Sequence, residues 1–268
     1  MKIRLVDLHN DAITCMSPKR FSAYIKRAEK AGVEAILVSV WTTEMKDPLE
    51  RIQEYRQIIG GIDTDVELLL HIEDIWFVDA TNISELIKLR PFSVGLTWNE
   101  NNNLAGGAYG DGELTPFGKT VIGKLSAKGI HIDLAHLNRK SFFMVAKLLK
   151  NKKLLCTHTC FDEVHPHKRN LNREQIQTIV NSDGIIGLTL VGDFLGDGGV
   201  LAHIKYFTDN FGTDNLCIGT DFFGTANPPK GLKKYKDFAR LKKRLCDETI
   251  TKIFHMNFHD FQRLNRSD

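Results

Sequence analysis

The chain has 268 residues, of which 42% are hydrophobic and 26% charged, and its formal net charge is +3. That length suits one large core, and the composition is ordinary for a soluble globular protein. So small a charge does not argue for nucleic acid, and no apolar run approaches the ~20 residues of a membrane span.

Residues 3–8 read as a short buried strand, apolar apart from Arg4 and Asp7. A chain that opens on a strand leaves no room for a charged and then apolar leader, so the expected location is the cytoplasm. Five cysteines, an odd number without framework spacing, agree with a reducing compartment. A helix over 21–31 stops at Gly32, and residues 34–41 form the second strand. The helix over 48–59 has Pro48 near its first turn and Gly60-Gly61 past its end, the usual asymmetry. A third strand at 66–71, a short helix at 83–89 and a fourth strand at 92–98 follow. After a polar, Gly-rich loop (99–113), Thr115 as N-cap and Pro116 open a helix reaching 128. Strand 130–135, helix 139–149 and strand 153–157 come next, then a second long loop at 160–171. The chain continues with helix 173–181, strand 184–191, helix 200–210, strand 216–220 and two terminal helices from about residue 235. Basic residues concentrate late, from Lys230 to Arg244, with few acidic residues and no aromatic stacking platform. That pattern suits a solvated helix better than a nucleic-acid surface.

Eight such βα units with near-continuously apolar strands predict a parallel sheet covered on both sides. The count favours a closed (β/α)8 TIM barrel over an open doubly wound sheet. Without a linker or a short-period repeat, residues 1–268 are expected to form a single domain.

In such a barrel, chemistry sits at the C-terminal ends of the strands. The residues expected there are His9 and Asp11, His71-Ile72-Glu73-Asp74, His136, His158 and Asp221. Strand alternation predicts that Asp7, His9 and Asp11 project together. Imidazoles and carboxylates converging from several strand ends are a donor set for divalent metal. Two ions about 3.5–4 Å apart need a bridging carboxylate, and Glu73, longer than Asp74 and nearer its strand, suits that part. Asp221, not required to complete two ligand sets, is free to move a proton; the alternative is a helix cap or an acceptor behind a ligand. Cys156 and Cys160 flank His158, and Cys156 is expected one layer deeper on the same face, as a small buried apolar residue. His131 and Asp133 are expected to point toward the helices. His165 and His167 in the loop, and His255 and His259 on the terminal helix, are expected to be solvated.

These residues lie in stretches that, taken together, resemble the membrane (renal) dipeptidase family of zinc metallopeptidases. The stretches are DLHND (7–11), HIED (71–74), GLTWNENN (95–102), LTPFGKTVIGKL (114–125), IDLAHL (132–137), THT (157–159), KRN (168–170) and IGTDFFG (218–224). They follow the family's order over nearly the whole chain. The resemblance implies two Zn2+, with His9 and Asp11 holding one ion, His136 and His158 the other, and Glu73 bridging. It also implies that Asp221 is the proton-transfer residue and that Arg169 grips the substrate's terminal carboxylate. Three positions depart from the family's common pattern. Trp98 stands where a histidine is usual, Asp74 where glycine is frequent, and Phe223 where a second aspartate often follows. These changes bear on substrate choice and rate, not on metal binding.

The expected activity is therefore dinuclear zinc dipeptidase chemistry, in which a metal-bridging hydroxide attacks the scissile carbonyl. A small peptide substrate and a homodimer are the partners considered, with neither nucleic acid nor membrane. One rival is another amide or ester hydrolase on the same barrel. Such enzymes usually carry His-x-His on strand one and a bridging lysine on strand four, where this chain offers His-x-Asp and Glu73. The other rival is a non-catalytic metal or peptide binder, against which the presence of Asp221 and Arg169 argues.

Overall fold

The computed structural model describes residues 3–264. Eight parallel strands close into a barrel in sequence order: β1 (Leu5–Asn10), β2 (Val33–Trp41), β3 (Glu67–Glu73), β4 (Ser93–Gly95), β5 (His131–Asp133), β6 (Leu155–Thr159), β7 (Ile185–Leu188) and β8 (Leu216–Ile218). The (β/α)8 TIM barrel expected from the alternation of elements is the fold. Helices on the outside include α1 (Ala12–Cys15), α2 (Pro18–Ala31), α3 (Pro48–Gly60), α4 (Ile83–Lys88), α5 (Pro116–Ser126), α6 (Arg139–Leu148), α7 (Arg173–Val180), α8 (Gly192–Leu195) and α9 (Gly199–Phe211). The predicted start of α5 is built as expected: the Thr115 hydroxyl accepts from the Gly118 amide at 2.9 Å. The single-turn helices α1 and α8 escape a periodicity reading because four residues span little more than one turn.

The end of the chain is more broken than the two helices expected. It contains a 3-10 turn (Tyr235–Asp237), α10 (Phe238–Lys242), α11 (Asp247–Thr251), a π-helical turn (Lys252–Met256) and α12 (Asn257–Leu264). Phe258 and Phe261 of α12 join Val6, Leu8, Leu37, Leu155, Ile185 and Cys217 in an inner apolar set. The terminal helix thus closes the floor of the barrel. A helix this short is not stable alone, but each buried Phe stabilises it by about 1.5–3 kcal/mol. A larger outer set, including Leu5, Ile36, Val94, Ile132 and Ile218, packs against Phe21, Val121, Phe142 and Ile176 of the helices. No helix among the described residues is long and apolar enough to cross a membrane.

Two strands break the simple alternation of side chains. In β1, Asp7 pairs with Ile36 and Asn10 with Val38, so three steps on β1 oppose two on β2. Leu8 and His9 therefore both face the barrel interior, while Asp7 and Asn10 turn to the helices. Asp7 accepts hydrogen bonds from Thr220 and from the Tyr235 hydroxyl, and Asn10 donates to Tyr24 and Tyr235. The expectation that Asp7 and His9 share a face fails at this bulge. In β6 the same irregularity falls between Cys156 and Thr159. Thr157 and His158 both reach the interior, and Cys156 joins the outer core, buried as expected but not on the face of His158. The bulge also presses the Thr157 carbonyl inward. A Cβ on Gly187 or Gly219 would sit 1.9 Å from that oxygen, so β7 and the residue just after β8 need glycine there.

Candidate metal centre

Above the apolar floor the barrel interior turns polar. The site is gathered around one oxygen, Oε1 of Glu73 at the end of β3. It lies 2.9 Å from Nε2 of His136, 3.6 Å from Nε2 of His158 and 3.8 Å from Nε2 of His9. Nε2 of His136 and of His158 stand 2.9 Å apart, and the His9 and His158 rings are 3.8 Å between centroids. His136 lies beyond the end of β5, and a left-handed backbone (φ 66) swings its ring over the barrel mouth. On the other side, Nε2 of His9 is 3.4 Å from Oδ2 of Asp11. Ligating atoms of His9, Asp11 and Asp221 fall within 4.8 Å of one another, as do those of His9, Glu73 and His158. The backbone draws Asp221 to this side: its amide donates to the His9 carbonyl at 3.0 Å, and the Asp11 amide donates to Phe222. Asp221 also has positive φ (55).

A second layer of polar groups orients the imidazoles, and it contains residues whose part the sequence did not suggest. Asp133 faces inward, not toward the helices, because β5 ends there and the chain reaches His136 through a turn instead of strand alternation. It accepts from the Thr157 amide (2.8 Å) and from the Thr157 hydroxyl (2.5 Å). With its proton committed to Asp133, the Thr157 oxygen is left to accept from Nδ1–H of His158 (2.9 Å) and of His9 (3.2 Å). One hydroxyl thus orients two imidazoles and leaves both Nε2 atoms facing Glu73. Nδ1 of His136 is matched to Oδ1 of Asn99 at 3.0 Å. His71, one layer below Glu73, bonds Ser93 (2.8 Å) and directs Nε2 toward Asp133 at 3.5 Å. His131 also faces inward, its ring 4.9 Å from Phe92 and 5.0 Å from Phe261 at the floor. Motif spacing contained both Asp133 and Thr157, but it is the end of β5 that leaves Asp133 inward and the bulge in β6 that turns Thr157 toward the ligands.

The electrostatics follow from burial among unlike charges. Burial and then the charge of His9 hold His71 down to about 3. Burial and then Arg169 hold His136 at about 4, and burial with His9 pushes His158 well below the histidine range. These are neutral imidazoles, the form that binds metal. Burial also opposes charge on His9 and on Glu73, but here the neighbours prevail. Asp11 and Glu73 raise His9 to about 10, and His9 with His136 lower Glu73 to about 2. Burial, and next the charge of Asp11, lifts Asp221 well above the carboxylate range.

This donor set fits divalent metal. Oδ2 of Asp11 is buried without a hydrogen bond, and the lone pairs of His136 and His158 are aimed at each other, an arrangement a cation relieves. Removing the orienting hydroxyl tests the second layer. Thr157→Val should weaken zinc binding about 10- to 100-fold in competition with a chelator, while Thr157→Ser stays near the native value. A valine variant that binds zinc as tightly as the native protein would remove this role.

Arg169 lies in the site although its position in a loop after β6 gave no such sign. It is 4% exposed, Nη2 donates to Nε2 of His158 at 2.9 Å, and its guanidinium sits 5.5 Å over the Phe194 ring. Its amide donates to Nδ1 of His167 (3.1 Å) and its carbonyl accepts from Thr159 (2.9 Å), so the loop is anchored from both sides. His167 is accordingly half-buried against Phe194 and not simply solvated. Trp98 is half-buried, between Trp41 (5.6 Å) and His136 (6.1 Å). Asp74 has positive φ (63), which glycine adopts freely and aspartate tolerates. Its carboxylate ties in the neighbouring loops through Thr43 (2.6 Å) and Asn102 (3.0 Å). Phe223, also at positive φ (75), is exposed and packs its edge against Tyr24.

Residues 2–260 match the family model described as Membrane dipeptidase (Peptidase family M19). Among curated proteins, the chain is 29% identical over 154 residues to an uncharacterized protein in the pqqA 5' region of Klebsiella pneumoniae. That match covers 51% of this chain and 56% of the relative. It is 24% identical over 151 residues to the dipeptidase aclJ of Aspergillus oryzae, covering 52% of this chain and 35% of that protein. The chain therefore spans about half or less of these relatives' length. Among solved structures, a dipeptidase AC described as a metallopeptidase superposes with a TM-score of 0.80 at 22% identity, over 97% of this chain and 98% of that one. A metallopeptidase from Rhodobacter sphaeroides, liganded with a phosphinate mimic of the dipeptide L-Ala-D-Ala, gives 0.80 at 20% identity over 98% and 99%. At these identities the structural likeness is one of fold.

Proposed function

This chain belongs to the membrane dipeptidase family, peptidase family M19, and we propose that it is a dinuclear zinc dipeptidase acting on small dipeptides with a free C-terminal carboxylate. The observation that carries the reading is the position of Oε1 of Glu73, within 3.8 Å of three imidazole nitrogens, as a shared ligand requires. His9 and Asp11 hold one ion, His136 and His158 the other, and Glu73 serves both. When bound, the ions supply Lewis acidity and an activated water. Asp221, its affinity for a proton raised by burial and by Asp11, holds that proton beside His9 and passes it to the leaving amine. Trp98, beside His136, limits the width of the pocket. The named activity of the Aspergillus relative and the dipeptide mimic bound by the Rhodobacter structure support a small peptide as substrate. We take the barrel as one domain, and five unpaired cysteines support a cytoplasmic setting.

Arg169 provides the test of substrate class. A buried guanidinium beside the ligands is placed to receive a carboxylate, and a charged hydrogen bond of about 1.5–3 kcal/mol is worth roughly ten- to hundredfold in binding. Free dipeptides should be cleaved better than the same dipeptides amidated at the C-terminus, by about that factor. Arg169→Lys should lose part of the preference and Arg169→Met most of it, with zinc content unchanged. Equal turnover of free and amidated substrates by the native protein would replace this reading with a broader amidohydrolase.

A further inference from the structure

At the opposite end of the barrel, three potential ligands meet with no part in the chemistry above. His255, in the π-helical turn, and His259, in α12, are four residues apart, and their ring centroids are 6.1 Å apart. Both face Glu34, near the start of β2. Nε2 of His259 lies 3.1 Å from Oε2 of Glu34, and Nδ1 of His255 lies 3.7 Å from the same oxygen. All three ligating atoms fall within 4.8 Å of one another. Contrary to the expectation of a solvated side chain, His255 is only 6% exposed, and its Nδ1 is buried without a hydrogen bond.

We propose that Glu34, His255 and His259 form a structural zinc site that clips the terminal helix to the floor of the barrel. Two imidazole nitrogens and one carboxylate oxygen suit that borderline ion, with bonds of about 2.0–2.2 Å. Tetrahedral bonds of that length separate ligand atoms by about 3.3–3.6 Å, between the two separations recorded to Oε2. A plain ion pair between His259 and Glu34 leaves Nδ1 of His255 stranded, whereas an ion gives it a partner. Arg4 occupies the other carboxylate oxygen, Oε1, and leaves Oε2 facing the histidines. Glu29 and Asp65 line the same open groove and offset the added positive charge.

The test compares zinc per chain after saturation with zinc and removal of excess. The native protein should hold one zinc more than His259→Ala, and one more than Glu34→Gln, while both variants cleave substrate as the native protein does. The difference between proteins is the readout, so it stands whatever the site at the barrel mouth binds. A measurement on the unsubstituted chain makes the result independent of how the variants fold. Zinc, but not magnesium, should slow diethyl pyrocarbonate labelling of His259 severalfold, with the labelling of His165 as the reference. Equal zinc in all three proteins, or labelling of His259 indifferent to zinc, would reduce the cluster to an ordinary ion pair.

Discussion

Asp221→Asn should lower turnover by about 10²–10⁴ with the zinc content unchanged. The substitution keeps the shape of the side chain and removes only the capacity to take and give a proton. The environment is built to hold that proton: burial and the charge of Asp11 raise the carboxyl well above its ordinary range. Asp221 also lies within reach of His9 and Asp11, so a ligand role is the competing account. Zinc analysis separates the two, because a ligand variant loses metal along with activity. Full turnover in a properly metallated asparagine variant would leave Asp221 as a packing residue.

Glu73→Gln should strip both ions together and lower turnover by at least about 10³, since the ions contribute several kcal/mol and 1.4 kcal/mol is a factor of ten. The amide retains the volume but offers no charge to three imidazoles that surround a single oxygen within 3.8 Å. Replacing His136 alone should instead empty one position more than the other. Elemental analysis of the two variants after identical reconstitution distinguishes a shared carboxylate from a one-sided one. A glutamine variant that retains one ion at full occupancy would show that Glu73 serves only the other.

The barrel and the ends of its strands are legible in the chain because their causes are local. Parallel strands covered on both faces must be apolar nearly throughout, so β2 and β3 stand out as EAILVSVW and VELLLH between helical stretches with their own caps. Polar residues at the ends of such strands have few reasons to be there except the site. His9, Glu73, His136, His158 and Asp221 can therefore be singled out by position alone. Arg169 cannot: in a polar loop it looks like any solvated cation, and only the family resemblance marked it.

What the sequence determined was the order of elements, the closed sheet and the list of residues at its mouth. Which of them face one another was settled by tertiary packing. An extra residue in β1 after Asp7 brings His9 to the interior beside Leu8 while Asp7 faces the helices, and another in β6 brings Thr157 and His158 inward together. A left-handed backbone at His136 does the same where β5 has ended. Each is a departure from strict alternation that persists only because neighbours hold it: Gly187 and Gly219 make room, and Asp133 accepts the hydrogen bond of the Thr157 hydroxyl. The terminal helix obeys the same logic. Its sequence predicts a helix with solvated histidines, and only the shape of the barrel floor decides that Phe258 and Phe261 fill it and that His255 and His259 come to lie on Glu34. Side-chain periodicity is a property of a few adjacent residues, whereas a bulge or a strained turn persists only when distant parts of the chain compensate its cost.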